Sequence, residues 1–329
     1  MPGISLNPTY YEALKRLTLE MAGISLGANH EFLIETRLSA LARREGYETL
    51  PDMIEELFAE GQTRLAVHVV SSLLERDTHF FDDRASLTDV IEHCLPKLHP
   101  LYKGSAIRIL SFGCSSGQEP VSMAIEIDKL KDRFPSMGFE IVGVDYPSMA
   151  LDRARAGRYT HFEVQRGLPI RDLITYFDKT GEDWLVKPSL QASLSFADFH
   201  LLSQPDELGK FHIVLFRNRL SIYSPPAQMR VMRSLAEVVQ DNGYLSLGTG
   251  ETLGTLNFGF DGVEGHSALY RKREAEIEIV EDPTLKKPSN KTHFEGAKRR
   301  LRRYTDDNVS TEADEILDTD SVNPDRAHG

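Results

Sequence analysis

The chain has 329 residues, and its 38 Lys and Arg against 50 Asp and Glu give a formal net charge of −12. At about 100 to 200 residues per domain, this length has room for about two domains. A hydrophobic content of 40% and a charged content of 27% are typical of globular proteins and exclude wholesale disorder and a fibrous fold. The net acidity provides no overall field that would hold nucleic acid or an anionic membrane.

The number of cysteines and the pattern of the N-terminal sequence bear on the compartment in which we expect the protein. Cys94 and Cys114 are the two cysteines, too few for a disulfide framework or a structural zinc site, and this scarcity suits a reducing compartment. The N-terminal stretch lacks the basic-then-apolar order of a signal peptide, and no stretch approaches the about 18 unbroken apolar residues of a membrane span. We therefore expect a cytoplasmic protein without direct membrane insertion. No metal-ligand spacing is present, and we expect no metal.

The first 75 residues have the pattern of an all-helical region. Apolar residues at near-helical spacing predict four helices, over 10–21, 30–45, 50–59 and 62–74. In the second helix Arg37, Arg43 and Arg44 lie partly on the face away from the apolar stripe. Such a basic cluster on an acidic protein is either a solvated helix face or a docking surface for an acidic partner.

From Ser105 onward, apolar runs rich in β-branched residues alternate with helical stretches. The runs predict strands over 106–112, 139–144, 194–196, 211–216 and 243–248, with helices over 120–134, 148–156 and 226–240. This alternation predicts an α/β fold, a doubly wound and mostly parallel sheet that binds nucleotides at the carboxyl ends of its strands. Beyond residue 271 the periodicity stops, and we predict that 272–329 is a disordered charged tail.

A strand, a glycine turn and a helix N-terminus follow one another in SFGCSSGQEP. Gly113 and Gly117 allow a sharp turn and a close ligand approach, and the helix N-terminus favours an anionic group. The next strand ends in Asp145, where dinucleotide and S-adenosylmethionine folds alike place an acid on the ribose. The turn lacks a third glycine in dinucleotide register and carries Glu119, which would repel a pyrophosphate and pair with an amino group. This favours S-adenosylmethionine.

Longer motifs stand in one order between Tyr10 and Arg271: GISLGANHEFLIETRLSALARREG, Thr78-His79-Phe80-Phe81, SFGCSSGQEP, GVDYPSMALDRARAGRY and GYLSLGTGETL. In this combination the chain resembles the CheR family of chemotaxis receptor methyltransferases. The resemblance implies an S-adenosylmethionine-dependent methyltransferase fold with a small all-helical N-terminal domain. It implies methyl transfer to glutamates on receptor helical bundles, with S-adenosylhomocysteine as the product. The implied divisions are a helical domain (1–75), a linker with the Thr-x-Phe-Phe motif (76–104), a cofactor domain (105–271) and the tail (272–329).

The family's site residues map onto positions of this chain that match its motifs. The resemblance implies that Thr78 lies over the methionine portion of the cofactor, Glu119 on its amino group and Asp145 on its ribose. Arg217 and Asn218 match the family's Arg-Asn pair and are expected beside the cofactor. The full set of expected cofactor residues is Thr78, Gly113, Ser115, Gly117, Glu119, Asp145, Asp198, His200, Arg217 and Asn218.

Four features depart from the family pattern. One is that Gly248-Thr249-Gly250-Glu251 stands where the family usually reads Gly-His-Ser-Glu. His200 replaces an Asn that frames the adenine, and Asp82 replaces the Arg that orients the acceptor carboxylate. Ile222 takes the place of a site tyrosine, with Tyr223 one residue late. Asp82 would repel an incoming glutamate.

Three hypotheses follow from these departures. In the first, Arg84 and a shifted Tyr223 restore the missing groups, so that the catalytic set is Arg84, Arg217 and Tyr223. In the second, the acceptor has changed to a neutral or cationic group. In the third, the protein binds S-adenosylmethionine without turnover and acts through a partner, since function depends on the site and not on the fold.

Partners are implied by the resemblance alone. The basic helix with Arg37, Arg43 and Arg44 would face the helical bundle of a chemoreceptor or other signalling protein. Nucleic acid is not expected, since the Asn-Pro-Pro-Tyr signature of amino-directed DNA methyltransferases is absent near the fourth strand. The family's small β-subdomain binds receptor tail peptides in some members; the segment 176–194 occupies that region but looks short of a full sheet edge. We expect weak or absent tethering there.

Overall fold

Four helices form the N-terminal region of the computed structural model, which describes residues 7–27, 31–60, 63–74, 77–199 and 208–274. The helices are α1 (Pro8–Ala22), α2 (Glu31–Arg44), α3 (Leu50–Glu60) and α4 (Thr63–Leu74). Asn7 begins α1 by accepting a hydrogen bond from the Thr9 N–H at 2.9 Å, and Gly23 ends it in the left-handed conformation at φ 70°. The apolar faces meet in a core of their own around Leu14, Leu38 and Val69. The four predicted helices are thus present with nearly the predicted bounds.

A short helical segment joins this region to the sheet. It comprises α5 (Arg84–Asp89), one π-helical turn (Val90–Cys94) and α6 (Leu95–Leu98). The turn before it carries Phe80 and Phe81, both buried in the core under the sheet. The segment therefore fixes the Thr-x-Phe-Phe motif against the sheet domain.

The central sheet has seven strands in the order β6-β2-β1-β7-β8-β10-β9. The first five are parallel, and β10 and β9 add antiparallel pairings at one edge. The order reverses between β1 and β7, which is the position where open α/β sheets bind ligands. The strands are β1 (Ala106–Phe112), β2 (Gly138–Asp145), β6 (Leu194–Asp198), β7 (Phe211–Phe216), β8 (Val239–Leu247), β9 (Phe260–Gly262) and β10 (Leu269–Lys272).

Side chains alternate across β1 and supply two apolar layers. Ile107 and Ile109 belong to the core on one face, and Leu110 and Phe112 to the core on the other. Helices cover both faces, which confirms the predicted doubly wound α/β fold. They are α7 (Gln118–Lys129), α8 (Met149–Ala156), α9 (His161–Gln165), α10 (Ile170–Tyr176), α11 (Pro188–Gln191) and α12 (Pro225–Val238).

A second, antiparallel sheet takes two of its three strands from the segment 176–194, which we expected to fall short of a full sheet edge, and its third strand precedes that segment. It has the order β3-β5-β4, with strands β3 (Arg158–Thr160), β4 (Phe177–Thr180) and β5 (Asp183–Val186). That architectural expectation was wrong, because strands of three and four residues are too short to show a period of two in the sequence. Weak tethering of a receptor peptide there stays a prediction.

The predicted start of the tail at residue 272 is wrong, because Lys272 belongs to β10 and pairs with Phe260 of β9. The rest of the tail prediction, beyond residue 274, and the placement of His200 lie outside the described residues. The division at residues 75 and 104 also stays a prediction. Within the described residues, no helix combines the length and the apolar character needed to cross a bilayer.

Candidate active site

The turn after β1 lies at the carboxyl edge of the sheet, beside the end of β2. The N–H groups of Gly113 and Cys114 both donate to the carbonyl of Val144, at 2.6 and 3.0 Å. Gly113, Ser115 and Gly117 all have positive φ, at 76°, 52° and 86°, so the backbone turns back sharply before α7 begins. Such a turn lets a ligand approach the main chain closely.

Asp145 ends β2 and points its carboxylate back into this turn. Its Oδ2 accepts from the Ser115 N–H at 2.6 Å, and its Oδ1 accepts from the Tyr146 N–H at 2.7 Å. The Arg219 guanidinium lies 3.5 Å from Oδ2. The carboxylate is thus fixed in orientation, with its side chain 16% exposed.

Glu119 lies in the first turn of α7 and faces the same cleft. Its Oε1 accepts from the Ser111 hydroxyl at 2.7 Å, and its Oε2 lies 3.4 Å from Nη1 of Arg217. Ser111 belongs to β1, so the strand and the helix position this carboxylate together. Glu119 and Arg217, each expected beside the cofactor, thus lie next to each other, and their roles stay predictions.

Arg217 follows β7 and is the most deeply buried charge of the cleft, with its side chain 2% exposed. Its Nη2 donates to the carbonyls of Asp82 and Asp83. Its Nε and Nη1 form no hydrogen bond with the described residues, although Nη1 lies within ion-pair distance of Glu119. Buried donors of this kind normally find an acceptor, and a guanidinium suits a carboxylate ligand.

Glu251, to which our sequence analysis assigned no role, holds the loop after Arg217. Glu251 accepts hydrogen bonds from the N–H groups of Asn218 at 2.7 Å, Leu220 at 3.0 Å and Gly248 at 2.9 Å. Asn218 has φ 56°, and a Cβ on Gly248 would overlap its side chain. Glu251 is a positioning residue, and its place in GTGE, where the family usually reads Gly-His-Ser-Glu, was the signal that could have revealed it.

Asp83 ties the turn after Phe81 to the loop after β8. Its carboxylate accepts from the N–H and the hydroxyl of Thr249, both at 2.7 Å, and from the Ser86 hydroxyl at 2.7 Å. Burial raises the pKa of Asp83, but the hydrogen bonds from Ser86 and Thr249 and the charge of Arg217 outweigh it, so its pKa lies below the ordinary value. Asp83 therefore fixes the same turn that Arg217 contacts, and sequence reasoning missed it.

Phe81, Asp83, Ser115 and Asn218 share an uncommon backbone conformation. All four are non-glycine residues with positive φ, at 56°, 46°, 52° and 56°. Such conformations persist where surrounding contacts over-determine them, and they cluster at functional sites. Their concentration around Arg217 and Asp145 supports placing the active site in this cleft.

Other predicted residues do not join this group. The Arg84 guanidinium lies 3.2 Å from Glu126 and over the Phe81 ring. Asp198 pairs with Arg155 at 2.8 Å, although it stands beside Asp145 in the sheet register. Their assigned roles stay predictions.

Tyr223 and Thr78 complete the predicted set within the described residues. Tyr223 is buried in the core, with its ring 6.3 Å from that of Phe216. A single 3₁₀ turn over Leu220–Ile222 precedes it. Thr78 is half-buried just before the Phe80 turn. The catalytic role of Tyr223 stays a prediction.

A small cavity beside Asp145 brings the helical region to the cleft. It is lined by Ser71 and Leu74 of α4 and by Ser115, Asp145, Tyr146, Ser148 and Ala150 of the sheet domain. The Ser71 hydroxyl donates to the carbonyl of Pro147. The last turn of α4 therefore covers the end of the cleft where a ribose is expected.

The donor set fits S-adenosylmethionine and does not suggest a metal. Glu119 and Asp145 offer carboxylates for an amino group and for ribose hydroxyls. The Cys114 thiol behind the turn is fully buried, and burial raises its pKa well above the usual value. No His, Cys, Asp and Glu cluster of metal-binding size occurs within the described ranges.

Comparisons with known proteins agree with this assignment. The family described as "CheR methyltransferase, SAM binding domain" matches residues 76–269. The chemotaxis protein methyltransferase Cher2 of Pseudomonas putida is 32% identical over 246 residues, covering 73% of this chain and 90% of that protein. Chemotaxis protein methyltransferase 1 of Pseudomonas aeruginosa is 31% identical over 250 residues, covering 75% and 91%.

A relative from a third species, the chemotaxis protein methyltransferase of Vibrio anguillarum, is 28% identical over 275 residues and covers 83% of this chain and 99% of its own length. The family match spans the cleft from the turn that carries Asp83 to the last strands of the sheet. The resemblance found in the motifs is confirmed, and S-adenosylmethionine is the cofactor. The chain therefore belongs to the CheR family of S-adenosylmethionine-dependent methyltransferases.

Proposed function

We propose that the protein methylates glutamate side chains on the helical bundle of a chemoreceptor or similar signalling protein. The main supporting observation is Arg217, a buried guanidinium in the same cleft as Glu119 and Asp145 whose Nε and Nη1 form no hydrogen bond with the described residues. A glutamate acceptor is an anion at neutral pH, and a guanidinium is a suitable contact for a carboxylate. The names of the chemotaxis relatives support the same setting.

Different residues of the cleft would bind the cofactor and align the acceptor. Asp145 and the main chain around Gly113 would hold the nucleoside end, and Glu119 the amino group. Bound S-adenosylmethionine supplies an electrophilic methyl group, whose transfer to a carboxylate oxygen yields a methyl ester and S-adenosylhomocysteine. Since a glutamate carboxylate needs no deprotonation, the chain's task is alignment, exclusion of water and placement of charge.

Arg217 is the residue placed best for this task. Its anchors are the backbone carbonyls of Asp82 and Asp83, so the turn after the two phenylalanines fixes the guanidinium. Asp82 itself turns its carboxylate toward His79, whose Nδ1 lies 3.7 Å away, and its side chain is 51% exposed. Solvent therefore screens much of its repulsion of an acceptor.

The experiment is methyl incorporation from labelled S-adenosylmethionine into a receptor cytoplasmic bundle. We expect label that is released as methanol at high pH, because methyl esters hydrolyse in base. A bundle with its acceptor glutamates changed to alanine is the matched control and should remain unlabelled. Label that survives high pH would indicate a nitrogen or carbon acceptor instead of glutamate. Binding of S-adenosylhomocysteine without methyl incorporation would contradict the proposal that the protein is an enzyme.

One observation favours a second candidate, a regulatory protein that binds S-adenosylmethionine without turnover. The position where the family carries an acceptor-orienting arginine is Asp82, and Arg84 is paired with Glu126. A binding protein needs no cation there. The same incorporation experiment separates this candidate from the enzyme.

We propose that the basic end of α2 contacts the receptor bundle. Arg43 and Arg44 are exposed, and the Arg44 guanidinium contacts the sulfur of Met149 at the start of α8, near the end of β2. Arg37 donates to the Leu73 carbonyl at 3.0 Å, so it also links α2 to α4. The three predicted docking residues therefore have different surroundings.

Charge reversal tests this surface. The double variant Arg43→Glu and Arg44→Glu should weaken bundle binding about tenfold in low salt and lose the effect in high salt, because exposed charges are screened. Affinity for S-adenosylhomocysteine should not change. Arg16→Glu on the exposed side of α1 is the matched control. Equal loss of bundle and cofactor binding would point to misfolding, and unchanged bundle binding would remove α2 as the docking surface.

A further inference from the structure

Arg219 lies inside the cleft that the cofactor needs. Its side chain is 10% exposed, and its guanidinium donates to the carbonyl of Gly113 and lies 3.5 Å from Asp145 Oδ2. A Cβ on Gly113 would overlap Nε, Cζ and Cδ of Arg219, so the guanidinium lies directly against the glycine turn. The space that glycine leaves for a ligand is thus filled by the chain itself.

The two groups that Arg219 contacts are both part of the expected cofactor site. Asp145 is assigned to the ribose hydroxyls, and the Gly113 main chain borders the path to Glu119. Arg219 satisfies an acceptor at each place with a hydrogen-bond donor that also carries positive charge. S-adenosylmethionine is itself a cation with donors on its ribose and amino group. Arg219 therefore occupies the space expected for the cofactor and, like the cofactor, offers these acceptors a positively charged hydrogen-bond donor.

Arg219 is tied less firmly than its neighbour Arg217. Arg217 is anchored by the carbonyls of Asp82 and Asp83 and by the Glu119 carboxylate. The described contacts of the Arg219 guanidinium are with the cofactor site alone, at Gly113 and Asp145. When Arg219 leaves, Asp145 still accepts from two backbone N–H groups. Departure of Arg219 thus leaves the cofactor carboxylate oriented.

We propose that Arg219 is a built-in competitor of S-adenosylmethionine and determines the affinity of the site for cofactor and product. This inference rests on the proposed cofactor residues and is independent of which acceptor is methylated. The protein exchanges between a state with Arg219 against Gly113 and Asp145 and a state with the cleft open. Ligand binds the open state, so apparent affinity falls with the fraction of molecules that are closed.

The test is calorimetric titration of the full chain with S-adenosylhomocysteine, with no acceptor present. If nine molecules in ten hold Arg219 in the cleft, Arg219→Ala should bind about tenfold more tightly than the wild type. Arg219→Met keeps much of the side-chain length without the donors and should also bind more tightly. Arg233→Ala is the matched control, since it removes an exposed arginine of α12 and should leave affinity unchanged.

Equal or weaker binding by a folded Arg219→Ala and Arg219→Met overturns the proposal, because Arg219 would then be neutral or would hold the ligand. Thermal unfolding without ligand shows whether each variant is folded, and Arg219→Met provides the measurement if Arg219→Ala does not fold. Methyl incorporation plays no part in this experiment. Failure of the glutamate assay and failure of this inference are therefore separate results.

Discussion

The two ends of the cleft differ in how well they keep the family's chemistry. At the cofactor end, Gly113, Glu119 and Asp145 stand where the family motifs place them, and each has a defined hydrogen bond. At the acceptor end, a carboxylate at Asp82 replaces a cation, and Tyr223 packs in the core. The difference predicts that cofactor binding and acceptor orientation are separable in this chain.

The physical reason lies in how each end is built. The cofactor end is formed where parallel strands finish, so the sheet itself sets the positions of its residues. The acceptor end is formed by two loops that depend on Phe81, Asp83 and Asn218 in left-handed backbone conformations. Loops change register and composition more easily than strands do. Cofactor affinity and acceptor use should therefore respond to different substitutions.

The largest expected effect is at the cofactor end. Asp145→Asn removes the charge that we expect to hold the ribose hydroxyls. A hydrogen bond to a charged group contributes about 1.5 to 3 kcal/mol, which corresponds to a loss of about tenfold or more in S-adenosylhomocysteine affinity. Asp261→Asn, at an exposed carboxylate on the far edge strand, is the calorimetric control. Unchanged binding by Asp145→Asn would remove Asp145 from the site.

Gly248→Ala should disturb the acceptor end through packing. The added Cβ would overlap the Asn218 side chain and come within 2.7 Å of its backbone nitrogen. Overpacking of this kind lowers the free energy of unfolding by about 1 to 3 kcal/mol. Denaturant unfolding measures the loss, and methyl incorporation should fall as Arg217 shifts with the loop.

Gly262→Ala is the matched control, since a Cβ there has nothing within 4 Å. Its free energy of unfolding should stay close to that of the wild type. Equal stability of the two alanine variants would mean that the loop after Arg217 adapts without strain.

The accuracy of the predictions made from the sequence also differs between the sheet and the loops. The bounds of β1 and β7 agree with the predictions to the residue, because both are buried apolar runs with clear ends. The π turn over Val90–Cys94 was missed, since its apolar spacing differs little from that of an ordinary helix. The small β3-β5-β4 sheet was missed because its strands are short.

Contacts between charged residues far apart in the chain could not be predicted from the sequence either. Glu119 and Arg217, and Asp145 and Arg219, were each visible as residues near predicted strand ends. Their pairing depends on how the loop after β7 folds, and no local pattern encodes that fold. Tyr223 shows the same limit, because its ring packs in the core near Phe216, and no local pattern encodes that packing.

Asp82→Arg addresses the acceptor end directly. The change restores a cation next to the entering carboxylate, and a partly exposed charge pair is worth about 1 kcal/mol, or about fivefold in kcat/KM. Affinity for S-adenosylhomocysteine should not move. Arg84→Ala is the companion variant, and because Arg84 contacts Glu126 it should change kcat/KM by less than about twofold. A large loss in Arg84→Ala would show that Arg84 already orients the acceptor.

The smallest effect is a pH dependence at Asp83, which joins the two loops of the acceptor end. Its pKa lies below that of the unfolded chain, so the unfolded chain takes up the proton first as the pH falls. The stabilisation is complete above about pH 5 and is lost as the pH falls through about 4 and below. After allowance for solvent screening, we expect this pH-dependent stabilisation by Asp83 to be under about 1 kcal/mol. Denaturant unfolding of wild type and Asp83→Asn between pH 7 and pH 3 should therefore converge toward low pH. Parallel curves would mean that Asp83 titrates alike in the folded and unfolded chains, and its contacts to Thr249 would then contribute no charge-dependent stability.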